Sequence, residues 1–204
     1  MNVTIIDYGM SNLSSIRQAI IECGGIVHIS DDPYSLCDAT HIILPGVGAF
    51  FDGMKNLRER GWVESIRKAA LEDGVPFLGI CLGQQLLADK GDEGGATKGL
   101  GLVPGTIKKF QPTEKKERIP HIGWNEVTIV QPDDIVSGIP DHTDFYFVHS
   151  YFFSPAAQSS VIATTPYCGS FASVIKNKNV YGTQFHPEKS QNAGFSILKN
   201  FLSL

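Results

Sequence analysis

The sequence predicts an α/β fold built on an open, mostly parallel central sheet that helices cover on both faces, with additional β-strands in the second half. Three observations lead to this prediction. Short apolar runs alternate with helical segments in the first half, which is typical of parallel sheets. One apolar run leads directly into Gly79-Ile80-Cys81-Leu82-Gly83, a sharp turn from a strand into a helix. After Leu102 the chain changes to a series of short strand-like runs.

The first half alternates four predicted strands with helical regions. Ser11 or Asn12 is a candidate N-terminal cap of the first helix, and Gly24-Gly25 is expected to end it. The predicted strands span residues 3–7, 26–30, 41–44 and 75–80. A helix is expected up to residue 22, a largely helical region over 54–70 with a break near Gly61, and the start of a further helix over 82–88. The carboxyl ends of parallel strands share one edge of a sheet, and we expect the functional site at that edge.

The second half is richer in strands. Six strand-like runs are predicted, at residues 105–110, 125–130, 144–151, 160–164, 170–175 and 180–185, and a final amphipathic helix is expected over 193–202. The charged run 111–118 is most simply a solvated surface loop.

The composition excludes several classes of protein. The chain has 204 residues and a net charge of −4, so no excess of positive charge favours nucleic acid or an anionic membrane surface. No apolar run approaches membrane-spanning length, and the N-terminus lacks the basic region of a signal peptide. The four cysteines show no CxxC pair or metal-ligand spacing, which favours reduced thiols over disulfides or zinc. We therefore expect a single domain over residues 1–204 that is soluble and cytoplasmic.

Cys81 is the candidate nucleophile. A tight turn from a strand into a helix strains the central residue, and side chains at the flanking positions would collide with neighbouring elements, which explains the two glycines. A thiol at a helix N-terminus faces partial positive charge, which favours the thiolate. The alternative is a small buried cysteine at the end of a strand.

His186 and Glu188 are the candidate base and its orienting carboxylate. Both follow an apolar strand in Thr183-Gln184-Phe185-His186-Pro187-Glu188. In an extended chain, residues two apart point the same way, so Glu188 can reach the imidazole of His186. A carboxylate that orients a histidine beside a thiol is the arrangement of a catalytic triad. The alternative is a surface turn that happens to contain a histidine.

A glycine-containing segment, Pro45-Gly46-Val47-Gly48-Ala49-Phe50, follows the third predicted strand. Acyl chemistry at Cys81 needs backbone N–H donors for the oxyanion, and the candidates are Leu82 together with Val47 and Gly48. A turn that requires glycine explains the segment about as well.

With these features, the chain resembles the class I, triad-type glutamine amidotransferases over its whole length. The order cysteine, histidine, glutamate is that of the family. Within the family, the chain is similar to the glutaminase subunits of imidazole glycerol phosphate synthase, which act in histidine biosynthesis. Gln84 departs from this subgroup, which usually has methionine there. The matching stretches are residues 6–13, 45–50, 79–83, 120–125, 146–151 and 185–190.

The resemblance implies hydrolysis of glutamine through a thioester on Cys81, without a metal or other cofactor. It also implies that Gln85, Glu93 and the backbone around Ser150 and Tyr151 hold the two ends of glutamine. Each of these residues has a plainer alternative. Gln85 could be a polar residue on a helix surface, Glu93 a loop charge, and Tyr151 part of the core.

The family resemblance also implies a partner. All 204 residues are used by the amidotransferase domain, which leaves no domain to accept ammonia. The resemblance therefore implies a separate cyclase subunit of the (β/α)-barrel type, as a heterodimer. The segment 120–125 is the candidate docking surface, with Trp124 as an aromatic anchor; His121 and Lys189 are assigned to the same interface. Trp124 as an ordinary core residue is the alternative.

Two other functions remain open at this point. One is a paralogous glutaminase that supplies ammonia to an amino-sugar pathway of surface polysaccharide, for which Gln84 and the segment 88–93 leave room. The other is a non-enzymatic binding module on the same fold, which the complete set of Cys81, His186 and Glu188 argues against.

Overall fold

A computed structural model describes residues 1–115 and 117–204. The strands within these residues are β1 (Asn2–Ile6), β2 (Ile26–Ser30), β3 (His41–Gly46), β4 (Phe77–Cys81), β5 (Lys90–Gly91), β6 (Thr97–Lys98), β7 (Gly105–Lys109), β8 (His121–Ile129), β9 (Thr143–His149), β10 (Tyr151–Pro155), β11 (Val161–Thr165), β12 (Phe171–Asn177) and β13 (Val180–Thr183). The α-helices are α1 (Leu13–Glu22), α2 (Phe50–Glu59), α3 (Trp62–Arg67), α4 (Leu82–Leu86) and α5 (Gln191–Leu202).

The main sheet has nine strands in the order β2-β1-β3-β4-β13-β12-β11-β8-β9. The strands from β2 to β13 pair in parallel, and the remaining pairs are antiparallel. A second sheet of four strands has the order β10-β7-β5-β6. The strand β4 lies between β3 and β13, so its carboxyl end, where Cys81 lies, is in the interior of the parallel half.

Apolar side chains cover both faces of the main sheet. Successive residues of a strand point to opposite faces, and the two residues Ile42 and Ile43 accordingly belong to two separate buried clusters. One cluster contains side chains of α2 and α3, including the fully buried Trp62. The other contains side chains of α1 and α5, including Phe201. The expected α/β layering is therefore confirmed.

Several local details differ from the sequence expectation. The run predicted as one strand at 144–151 is two strands, β9 and β10, which separate at Ser150 and join different sheets. The helix expected to start over 82–88 is a single short element, α4, that ends at Leu86, and the short strands β5 and β6 were not predicted. Asn12 occupies the N-cap of α1, but its side chain forms no capping hydrogen bond.

The helices of the described residues are all too short or too polar to cross a membrane. The predicted loop at 111–118 contains Lys116, which lies outside the described residues.

Candidate active site

Cys81 lies at the turn from β4 to α4 in a backbone conformation that side-chain-bearing residues rarely adopt. Its φ is 54° and its ψ is −110°. Close contacts explain both glycines of the motif. A Cβ on Gly83 would lie 1.8 Å from the Leu44 carbonyl oxygen, and one on Gly79 would lie 2.6 Å from the Gly83 carbonyl oxygen. Helix, turn and strand can pack this closely only without those side chains.

His186 and Glu188 follow β13, the parallel neighbour of β4, and so lie at the same edge of the sheet as Cys81. The His186 Nδ1 and Glu188 Oε1 atoms are 2.8 Å apart. The extended chain predicted between these two residues is wrong, because Pro187–Lys189 forms a 3₁₀ turn. The backbone of His186 is held by its N–H, which donates to the Tyr146 carbonyl, and by its carbonyl, which accepts from the Ser190 hydroxyl.

The imidazole of His186 is buried and interacts with two acidic groups. Burial alone lowers its pKa, but interactions with Cys81 and Glu188 outweigh burial and raise the pKa to about 10. The ring is therefore mainly protonated at neutral pH. A positive ring beside a cysteine attracts a negatively charged sulfur, which is the nucleophilic form. The Nε2 atom of His186 is buried and has no hydrogen-bond partner among the described residues.

A cavity of about 200 Å³ opens at Cys81. Pockets for drug-sized molecules hold about 300–1,000 Å³, so this cavity suits a smaller molecule. The nucleophile, one triad partner and every residue predicted to contact glutamine or its oxyanion line it: Val47, Gly48, Cys81, Leu82, Gln85, Glu93, Ser150, Tyr151 and His186. Glu188 is not part of this wall and contacts it through His186.

Gln85 and Glu93 are held in place by hydrogen bonds. Gln85 is only 4% exposed, and its Nε2 donates to the Tyr151 carbonyl and to Gln184 Oε1, both at 2.9 Å. Glu93 accepts a hydrogen bond from the Phe50 N–H at the start of α2, and burial raises its pKa. Tyr151 is half-buried. A solvated Gln85 and a core Tyr151 therefore do not fit the structure.

The backbone donors predicted for the oxyanion are not equivalent. The Val47 N–H donates to the Met10 carbonyl at 2.8 Å, so it is already engaged. Gly48 has φ +115°, a conformation that favours glycine, and a Cβ there would lie 2.7 Å from Met10 Cε. Leu82 is the first residue of α4, and the first N–H groups of a helix have no acceptor within it. The candidate donors are thus Leu82 and Gly48, and Val47 is removed from this set.

The three predicted interface residues have different environments. The indole of Trp124 is on the surface, 48% exposed, so the core alternative is wrong. Its ring contacts Tyr146 edge to face, and the Lys189 ammonium lies 6.0 Å from the same tyrosine ring, so these three side chains form one surface cluster. His121, in contrast, is 4% exposed and stacks on Phe147. Its burial removes it from the candidate interface.

Two residues of the site were not predicted. Gln184 is fully buried, and its Nε2 lies 3.8 Å from the Cys81 sulfur. His149 lines the cavity, and its two ring nitrogens are hydrogen-bonded to His121 and to the Tyr151 carbonyl. Gln184 lies two residues before the predicted base His186, and His149 directly precedes Ser150 in the sequence. No pattern in the sequence distinguishes a buried polar side chain at such a position from an exposed one.

Comparison with known proteins identifies the family of the chain. The profile of the family "Glutamine amidotransferase class-I" matches residues 4–204. Imidazole glycerol phosphate synthase subunit HisH of Moorella thermoacetica is 49% identical over 199 residues, which cover 98% of this chain and 93% of that protein. Subunit HisH 1 of Campylobacter jejuni is 42% identical over 202 residues, covering 99% and 100%.

Solved structures support the fold alone, because their sequences are distant. A structure of PurLQS from Thermotoga maritima superposes with a TM-score of 0.76 at 21% identity and covers 99% of this chain and 97% of that chain. Because the family profile spans nearly the whole chain and the curated relatives align with almost their full length, the chain belongs to the class-I glutamine amidotransferase family, and within it to the imidazole glycerol phosphate synthase subunits HisH.

Proposed function

We propose that this chain is the glutaminase subunit of imidazole glycerol phosphate synthase. It hydrolyses glutamine to glutamate and ammonia, and passes the ammonia to a separate cyclase subunit in histidine biosynthesis. The observation that carries the proposal is that Cys81 and His186 line the same cavity and that Glu188 is hydrogen-bonded to His186. The membership of the chain in the HisH family supports the same reaction.

In the first half of the proposed reaction, the sulfur of Cys81 attacks the side-chain amide carbon of glutamine. The N–H groups of Leu82 and Gly48 stabilise the negative charge that develops on the amide oxygen. His186 donates its proton to the leaving nitrogen, which departs as ammonia and leaves a glutamyl thioester. Its raised pKa supports this step, because the ring carries the proton before the reaction begins.

In the second half, a water molecule attacks the thioester. His186 is now neutral, so it can accept a proton from the water, and the C–S bond breaks to release glutamate and the Cys81 sulfur. Glu188 keeps the ring oriented through the bond to Nδ1, which leaves Nε2 for the proton transfers. The net change is glutamine and water to glutamate and ammonia.

Four residues are proposed to recognise the rest of the glutamine molecule. The carboxylate of Glu93 is suited to the α-amino group, since the two carry opposite charges. Gln85, Ser150 and Tyr151 line the same cavity. The Gln85 side-chain amide and the backbone groups of Ser150 and Tyr151 are suited to the α-carboxylate and α-amino groups of glutamine. Binding at both ends would place the side-chain amide over Cys81.

The partner is proposed to be a (β/α)-barrel cyclase that docks over the cavity. The relatives of the chain are subunits of a synthase, so the ammonia is expected to react on an acceptor subunit. The surface cluster of Trp124, Tyr146 and Lys189 is the candidate docking surface. Trp124 pairs across the β-ladder with Tyr146, and Ile122, which is 60% exposed, pairs with the cavity residue Val148. Docking here would cover the ribbon that forms one wall of the cavity.

A cytoplasmic location is part of the proposal. Its support is chemical: the reaction needs Cys81 as a reduced thiol, and a reducing compartment maintains thiols. All four cysteines of the chain are free. The relatives found do not favour the surface-polysaccharide pathway or a non-enzymatic binding module.

The proposal is tested by chemical labelling and by complementation. A glutamine-shaped diazo-ketone should add once, on Cys81, and spare Cys23, Cys37 and Cys168. The Cys81→Ala variant should lose glutamine hydrolysis while its complex with the cyclase still uses added ammonium salts. Together with its cognate partner, the wild-type chain should restore growth of a histidine auxotroph without histidine. Glutamine hydrolysis that survives the Cys81→Ala change would refute the mechanism, and failure to complement would refute the pathway.

A further inference from the structure

His149, which lines the cavity, and His121, which does not, form a chain of hydrogen bonds that ends on the backbone carbonyl of the lining residue Tyr151. His149 Nδ1 is 2.8 Å from the Tyr151 carbonyl oxygen, and His149 Nε2 is 3.0 Å from His121 Nδ1. His121 Nε2 is in turn 3.2 Å from the Nδ2 atom of Asn125. Both histidines are almost fully buried, at 6% and 4% exposed. The proposed catalytic steps use neither of them.

Backbone atoms at the two ends determine the direction of every bond in this chain. A carbonyl can only accept, so His149 must carry its proton on Nδ1 and accept at Nε2. His121 then donates from Nδ1 and accepts at Nε2. At the other end, Asn125 is oriented by the Glu126 N–H, which donates to its Oδ1, and by its Nδ2, which also contacts the Pro166 carbonyl. The amide group of Asn125 therefore faces His121 with a donor, as the chain requires.

The carbonyl at the end of this chain has a second donor. The Nε2 of Gln85 also donates to the Tyr151 oxygen, at 2.9 Å. Both Gln85 and Tyr151 line the cavity, and Tyr151 is the first residue of β10, just after Ser150, where the chain leaves one sheet for the other. Strand β10 pairs with β7 in the four-stranded sheet, whereas β9 pairs with β8 in the main sheet. His149 and Gln85 therefore hold the junction between the two sheets at the point where it forms the cavity wall.

The surroundings of the two rings argue against a purely space-filling role. Both pack against Phe110, Phe147 and Phe171, an aromatic environment that an apolar ring would fill without the cost of burying polar nitrogens. Burial lowers the pKa of His149 to about 3 and that of His121 to about 4, so both are neutral at physiological pH. Among residues 1–115 and 117–204, the one acceptor outside the pair for the N–H groups of these rings is the carbonyl of the cavity residue Tyr151.

We propose that His149, supported by His121, is a positioning residue that fixes the Tyr151 carbonyl and the Gln85 amide for glutamine binding. The inference rests on the proposed function, because it assigns glutamine to this cavity. Neither histidine acts on the reacting atoms. Their effect is on how well the cavity matches glutamine, so their loss should affect KM more than kcat.

The experiment compares two substitutions at each histidine. Asparagine places an N–H₂ donor near the position of the imidazole Nδ1, so His149→Asn keeps the bond to Tyr151 and His121→Asn keeps the bond to His149. Phenylalanine fills the same aromatic space without a donor. The matched control is His41→Phe, because His41 is also buried and packs on Phe201, but lies at the opposite end of β3 from the cavity.

The variants are measured in complex with the partner subunit. His149→Phe should lower kcat/KM for glutamine by about tenfold, mainly through KM, and His149→Asn should stay within about threefold of wild type. Labelling of Cys81 by the glutamine-shaped diazo-ketone should slow in parallel, whereas alkylation by iodoacetamide, which needs only an accessible sulfur, should change little. The His121 pair should show the same order with a smaller effect, and this pair decides the question if His149→Phe does not fold.

Three results would overturn the inference: phenylalanine variants that bind glutamine as wild type does, phenylalanine and asparagine variants that lose activity equally, or iodoacetamide labelling that falls as much as diazo-ketone labelling. Each indicates that the histidines do not position the glutamine site. Failure of the proposed function has a different signature, since the wild-type complex itself would then not hydrolyse glutamine.

Discussion

The buried pair of His121 and His149 should make the stability of the fold sensitive to mild acid. In the folded chain, burial opposes a positive charge on either ring, and a proton added to His149 Nε2 would in addition face the N–H of His121. The pKa values of about 4 and about 3 lie below the value of about 6.5 for an unfolded histidine. Between about pH 4 and 6.5, the unfolded chain therefore binds more protons than the folded chain. Stability must fall as the pH falls through this window.

The magnitude follows from the unfolded value. At pH 5.0, an unfolded histidine is protonated by a ratio of about 30 to 1, which favours unfolding by about 2 kcal/mol for each ring that stays neutral in the fold. The pair should therefore cost about 4 kcal/mol between pH 7.5 and 5.0, a large part of the 5–15 kcal/mol that is typical of folded domains. His186 does not contribute to this loss. Its pKa is raised, so its stabilising effect is complete below pH 6.5 and is lost only as the pH rises toward 10.

The assay is urea unfolding at pH 7.5 and 5.0, followed by tryptophan fluorescence, with the linear slopes compared to confirm the same transition. The His149→Asn variant removes one titrating ring and should lose about 2 kcal/mol less than wild type over this interval. Titrating groups other than His121, which contacts the substituted ring, are common to both proteins and cancel in the comparison. Parallel losses of stability in the two proteins would refute the assignment of a neutral, buried His149.

Three further predictions concern the proposed reaction and assembly. His186→Ala should reduce glutamine hydrolysis by at least about 100-fold, and Glu188→Gln by much less, because a neutral imidazole can still sample a working orientation; equal small losses in steady-state rates would indicate a structural turn. Glutamine hydrolysis should be slow in the isolated chain and faster in the complex with the cyclase and its ligand, if the Gly48 N–H turns toward the oxyanion only in that complex. One such donor stabilises the transition state by about 3–4 kcal/mol. Equal rates in both states would exclude that switch. Trp124→Ala should weaken assembly by about 1–3 kcal/mol in titration calorimetry while the melting temperature of the isolated chain stays nearly unchanged, because its indole is half exposed.

The sequence was most informative where a chemical need restricts the residue type. Gly79 and Gly83 could be interpreted without a structure because a strand-to-helix turn around Cys81 has no room for side chains, and the close contacts of both glycines agree. The alternation of apolar runs likewise predicts the parallel half of the sheet, since burial on both faces requires apolar residues on both sides of each strand. The family assignment, which rested on such motifs, is confirmed.

Sequence reasoning failed where two different environments produce the same local pattern. The run 144–151 alternates like one strand, yet it changes sheets at Ser150, because the partner of a strand is decided by distant segments. His121 and Trp124 lie three residues apart in one motif, but the first is buried and the second is exposed. Glu188 meets His186 through a 3₁₀ turn and not through extended chain.

The sequence by itself determined the α/β class, the family, and the residues that are candidates for nucleophile, base and carboxylate. These depend on local sterics and on chemical groups that only a few residue types carry. The tertiary structure alone decided which polar side chains are buried around the cavity, which N–H groups are already engaged, and which residues of a motif face the solvent. Hydrogen bonds such as that of Gln85 to Tyr151, or of His149 to His121, join residues far apart in the chain, so their geometry exists only once the two sheets have packed together.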